Sequence, residues 1–226
     1  MRKHFFTCLF SFPVFIAAAQ PGVSPRLVPV IPDSNSVVYN GIEHVGYMAS
    51  IEGIPYYSSL EWIKGTMVYR DQPYAGVDLK YDLIRDEVIL RHFNGYVGVT
   101  LFTPRLQSFT LGDKKFVNLS NASGRSTGFY EELVTGTAGV YAKRSKKINE
   151  TLLATGVERK ISASNAYYIL KDGVLHGVRN EKSVLELFKD HKSEIRAHLK
   201  GRGLKFRKNP EAYLLVVANH YNQLSR

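Results

Sequence analysis

Between Ala75 and Leu83 the chain reads AGVDLKYDL, and its apolar and polar residues alternate strictly. Val77, Leu79, Tyr81 and Leu83 fall on one face, and Asp78, Lys80 and Asp82 on the other. A period of two is the signature of a half-buried β-strand. Runs of the same kind follow as DEVILRHF, GYVGVTLF, RLQSFTLG, KKFVNL, GFYEELVTG, AGVYAKRS and the shorter GVERKIS, mostly separated by Gly or Asp. In AYYILKDGVLHGV, Asp172-Gly173 stands between two β-rich stretches, a strong hairpin signal. No amphipathic helical segments intervene, which argues for an antiparallel meander rather than βαβ units. The expectation is an α+β protein: a curved antiparallel sheet of about 8–10 strands over residues 51–178, then two helices.

The period changes near residue 179. Ser183-Val-Leu-Glu186 has the form of a capping box and predicts a helix from about Val184 to Lys200, ended by Gly201 and Gly203. Asn209 as N-cap with Pro210 behind it predicts a second helix to about Gln223, burying Ala212, Leu215, Val216 and Asn219 or their neighbours. Ahead of the sheet, residues 20–50 begin with Pro21, Pro25, Pro29 and Pro32 and read as an extended or disordered lead-in.

The first 19 residues predict an export signal. Arg2 and Lys3 precede the apolar run FFTCLFSFPVFIA, and Ala17-Ala18-Ala19 sets cleavage between Ala19 and Gln20. The run is shorter than the ~20 residues of a membrane span, and no later stretch approaches that length. The expected destination is the periplasm, the outer membrane or the exterior. Cys8 is the only cysteine and lies in this signal, so the mature chain would hold no disulfide and no thiolate metal site.

Charge is distributed unevenly. Residues 21–140 carry 10 basic and 12 acidic groups, whereas residues 141–226 carry 18 basic and 8 acidic groups. The excess of +10 in the last third suggests an anionic or amphiphilic partner: lipid, glycan or an envelope protein. Export argues against nucleic acid as the main one. Lys200, Arg202, Lys205, Arg207 and Lys208 are the densest basic cluster, and the doublet Tyr167-Tyr168 is a second candidate for ligand contact through apolar rings with polar tips.

Enzymatic signatures are sparse. GRSTG at 124–128 matches the G-x-S-x-G elbow and makes Ser126 a candidate nucleophile of an exported serine hydrolase. That elbow needs a strand running straight into a long helix. Here KKFVNL is followed by loop-forming Ser120-Asn121-Ala122-Ser123, and FYEELV reaches Gly136 too soon, so a hairpin loop is the preferred reading. His191, Glu194 and His198 share a helical face, but seven residues of helix separate the histidines by about 10.5 Å, too far for one metal. No phosphate loop, zinc motif or dinucleotide fingerprint is present, so no cofactor or metal is proposed.

The run GIPYYSSLEWIKGTMVYRDQPYAGVDLKYDLIRDEVIL, with LFTPRLQSF, GFYEELVTG and LKDGVLH, resembles a group of exported, uncharacterised envelope proteins of Gram-negative, Bacteroidetes-type bacteria. The resemblance spans roughly residues 50–225. It implies an envelope location and carries no catalytic residues. The sequence therefore favours a non-enzymatic binding protein of the envelope, with the hydrolase and a structural component of an outer-membrane complex as alternatives.

Overall fold

Alternation does its work most plainly in β4 (Gln72–Asp82), where Val77, Leu79 and Tyr81 are buried while Asp78 and Lys80 are partly solvated. The computed structural model describes residues 28–119 and 127–225. Among the described residues, twelve strands form one sheet. They are β1 (Ile42–Glu43), β2 (Ile51–Glu52), β3 (Ile63–Tyr69), β4, β5 (Glu87–Arg91), β6 (Gly98–Thr100), β7 (Leu106–Leu111), β8 (Lys114–Asn118), β9 (Phe129–Val134), β10 (Ala138–Leu153), β11 (Gly156–Lys171) and β12 (Val174–Val178). Their order is β1-β6-β5-β4-β3-β7-β8-β9-β10-β11-β12, antiparallel throughout, with β2 added parallel to β11 at Arg159 and Lys160.

The strand number exceeds the expected 8–10 because two-residue pieces such as β1 and β2 carry no readable period. Strand pairing also begins before the expected boundary at Ile51. Val30 bridges Tyr74, β1 pairs β6, and Val38 is fully buried, so described residues of the lead-in belong to the folded body. The Asp172-Gly173 turn is as expected. Both residues have positive φ (53° and 74°), the requirement of a type I′ hairpin turn.

The sheet curls on itself. Tyr57 N–H bonds Tyr81 O, Leu83 N–H bonds Pro55 O, and Lys146 N–H bonds Leu83 O at 2.9 Å, which brings β10 back to the end of β4. Inside the curl lies an aromatic core. Phe109 stacks on Phe116 at 4.8 Å, and Tyr81 meets Phe109, Phe116 and Phe129 edge-on at 5.2–5.9 Å. Such pairs contribute about 0.5–1.5 kcal/mol each beyond area burial.

A second core lies between the bases of β10 and β11 and the helices. It joins Val140 and Ile169 to Val184, Leu185, Phe188, Ile195 and, from the C-terminal helix, Tyr213, Leu214 and Val217. The first expected helix is broken in two, α1 (Glu181–Leu187) and α2 (Lys192–Leu199), with a 3-10 turn at Lys189–His191 between them. The break has a cause: Phe188 is fully buried and the Asp190 carboxylate accepts from Tyr221 Oη at 2.9 Å, so the chain turns inward there. The capping box is real but sits three residues earlier than expected. Asn180 is the N-cap, and Ser183 occupies the third helical position and returns the bond. Helix α3 (Pro210–Leu224) starts at its Asn209 cap as expected, but buries Tyr213, Leu214, Val217, Ala218 and Tyr221 and leaves Asn219 exposed. None of the described helices is long and apolar enough to cross a membrane.

Candidate functional site

The helical layer is fastened to the sheet by two cations of the β10–β11 hairpin. Arg144 on β10 donates from Nε to Glu131 Oε2 at 2.7 Å and from Nη2 to Glu211 Oε2 at 2.8 Å, reaching one carboxylate on β9 and one on α3. Tyr167 Oη donates to the same Glu211 oxygen at 3.2 Å. Burial works against the charged guanidinium, but hydrogen bonds to both carboxylates outweigh it and raise its affinity for the proton. Tyr57 is held protonated to well above the usual phenol range, first by burial and then by the Glu131 charge.

Lys171, at the end of β11, makes the second fastening. Its Nζ donates to Leu187 O at 2.9 Å, lies 3.5 Å from Asp190 Oδ1, and sits over the rings of Tyr221 and Phe188. Burial opposes the Asp190 carboxylate, yet Tyr221 and Lys171 overcome that and hold it below its ordinary range. Two helical carboxylates are thus turned toward the sheet.

The consequence appears on the outer side. Between Arg179 and Lys208 the chain carries ten cations: Arg179, Lys182, Lys189, Lys192, Arg196, Lys200, Arg202, Lys205, Arg207 and Lys208. None of them forms an ion pair among the described residues, whereas the body pairs Lys64, Arg91, Lys115 and Lys143 with carboxylates. Lys200, Arg202, Lys205, Arg207 and Lys208 share the connection from α2 to α3, all are exposed, and no carboxylate interrupts residues 195–210. Gly201 and Gly203, with φ of 86° and 64°, turn the chain out of α2. Phe206 is buried edge-on against Tyr213, so this basic loop is pinned from inside while its cations face out. Arg202 Nε caps the helix end by donating to His198 O at 3.1 Å.

The tyrosine doublet is placed differently. Neighbours on a strand point to opposite faces, so Tyr167 joins the Glu211 cluster while Tyr168 lies edge-on against Tyr130 at 5.3 Å. Together they border a cleft of about 460 Å³ at the sheet edge beside Val178 and Arg179. Ser126, and with it the expected hairpin loop, lies outside the described residues; the strands that precede and follow it in the chain, β8 and β9, pair antiparallel.

Two polar residues of consequence carry no readable signal. Asp82 is fully buried on the face expected to be solvated, where it accepts from Ile84 N, Arg85 N and Tyr47 Oη. Glu131 is 2% exposed. Asp82 has local backbone partners, but its contact with Tyr47 and that of Glu131 with Arg144 come from residues distant in sequence. Comparison with protein-family models, curated proteins and solved structures finds no match to this chain.

Proposed function

We propose that this chain is a non-enzymatic, exported binding protein of the cell envelope, which docks through its helical layer on an anionic surface. The observation that carries the reading is the charge segregation just described. Asp190 and Glu211 are spent on Lys171 and Arg144, and ten cations without ion pairs outnumber the three exposed carboxylates that remain on the layer, Glu181, Glu186 and Glu194. Cations spread over exposed turns and helix ends suit a polyvalent partner rather than a single small anion. Each Lys or Arg near an anionic membrane surface contributes about 1 kcal/mol, so a handful acting together gives useful affinity. The export signal of the first 19 residues supports an envelope setting, where phospholipid headgroups and acidic glycans both present repeated negative charge.

The test is co-sedimentation with vesicles. Binding to phosphatidylglycerol-containing vesicles, absent for purely zwitterionic ones and lost as salt is raised, supports the reading. Competition by a soluble acidic polysaccharide then separates a glycan source of the charge from a lipid one. Equal binding to both vesicle types, or none to either and none to the polysaccharide, overturns it.

A further inference from the structure

Most of the ten cations stand apart, but three converge. A cleft of about 220 Å³ opens between α1 and α2, walled by Glu181, Lys182 and Leu185 from one helix and by Lys192 and Arg196 from the other. Residues four apart share a helical face, so Glu181 with Leu185 and Lys192 with Arg196 are presented together to the same space. Lys182, Lys192 and Arg196 make no side-chain hydrogen bond or ion pair among the described residues, and Glu181 pairs with none of them. Three cations against one carboxylate leave the walls positive.

A second, independent observation lies beneath it. Among the described residues only two buried side-chain polar atoms lack a hydrogen-bond partner, and one of them is Tyr213 Oη. Tyr213 is 1% exposed, and Phe206 packs edge-on against its ring at 5.7 Å. The charges that act on its hydroxyl are Glu181 and Arg196, one from each wall, which sets the oxygen at the base of the cleft. Burial first, and then Glu181, push its pKa up to about 12 against the pull of Arg196, so the hydroxyl keeps its proton and is a donor. A buried donor without an acceptor is costly, and the apolar surroundings would be served as well by phenylalanine. What fits is a compact anion with several oxygens: three for the cations and one for the hydroxyl. A phosphate group has that number, and a carboxylate does not.

We propose that the α1–α2 cleft binds one phosphate group, its outer oxygens held by Lys182, Lys192 and Arg196 and its innermost oxygen accepting from Tyr213 Oη. This goes beyond the surface reading and does not rest on it. The α2–α3 connection borders no part of the cleft, so vesicle binding and phosphate binding can fail separately. Inorganic phosphate and a phosphomonoester lipid headgroup share the required chemistry. The test is calorimetric titration of full-length mature protein with inorganic phosphate at constant ionic strength. Wild type binds one phosphate saturably. Arg196→Gln weakens binding by about tenfold or more, the loss of a charge-assisted bond. Lys147→Gln, the same charge change at an exposed lysine of β10, alters it by less than about twofold. Tyr213→Phe weakens it by about threefold or more, yet melts no lower than wild type without phosphate, since the hydroxyl removed has no partner there. Phosphatidic acid vesicles that displace the bound phosphate support the site with a lipid headgroup as its source; vesicles that leave it in place support the site with soluble phosphate as its source. Absent or unsaturable binding, or binding that either Arg196→Gln or Tyr213→Phe leaves unchanged, overturns the proposal. So does a Tyr213→Phe protein that melts lower without phosphate, because its hydroxyl is then already partnered within the fold.

Discussion

Arg144 and Glu211 meet at 2.8 Å across the junction between the sheet and helix α3, and Glu131 holds the other side of the same guanidinium. The Arg144 side chain is 11% exposed and that of Glu131 only 3%. Removing the cation therefore strands a buried carboxylate. Arg144→Met is expected to lose about 3–5 kcal/mol of unfolding free energy in urea. Glu211→Gln, at a site one-third exposed, costs less, and Arg144→Met combined with Glu131→Leu recovers much of the loss. An Arg144→Met protein as stable as wild type would show that the junction is held by apolar contact alone.

Gly65 is where β3 crosses close to β7. A Cβ built there falls 1.9 Å from the carbonyl oxygen of Thr110 and 2.9 Å from its carbon, and backbone cannot swing aside as a side-chain tip can. Replacing glycine within a strand ordinarily gains up to about 1 kcal/mol. Here Gly65→Ala is expected to lose roughly 1–3 kcal/mol through the forced displacement of a strand. A thermal melt of the variant decides it, and an unchanged or raised midpoint contradicts the close approach.

Mild acid should weaken the fold through two histidines. His44 is held below its ordinary value of 6.5 by burial, opposed by Asp82 and reinforced by Arg85 and Lys80. His198, stacked on His220 at 3.9 Å, is held below 6.5 by burial, by His220 and by Arg202. When the folded value lies below the unfolded one, the unfolded chain takes up protons first. The contribution is full above pH 6.5 and falls as the pH drops from there toward the folded values. Imidazole resonances followed by NMR should titrate below 6.5 at both positions, and urea stability should decline over that window. The decline should be smaller in His44→Phe. Midpoints at or above 6.5 would contradict these downward shifts.

Much of this architecture is legible in the chain. The alternation in β4, the Asp172-Gly173 turn and the Asn209-Pro210 helix start are local signals, and each appears where its local chemistry places it. What is hidden depends on distant partners. Lys143 to Leu153 reads as a polar run with no period, yet it pairs residue by residue with β11 to form the longest hairpin in the sheet. Asp82 and Glu131 look like solvent-facing strand residues, and their longer-range partners, Tyr47 and Arg144, lie 35 and 13 positions away. The basic cluster is visible as composition. That Asp190 and Glu211 turn away from it, to Lys171 and Arg144, is visible only in the structure.

The most direct measurement is vesicle affinity after neutralising the α2–α3 connection. A variant carrying Gln at Lys200, Arg202, Lys205, Arg207 and Lys208 leaves Phe206, Arg144 and Lys171 untouched, so the fold should persist by circular dichroism. At about 1 kcal/mol per cation, its affinity for phosphatidylglycerol-containing vesicles at low salt should fall by more than about a hundredfold, with a shallower salt dependence. A correctly folded variant that binds these vesicles as tightly as wild type would contradict the account.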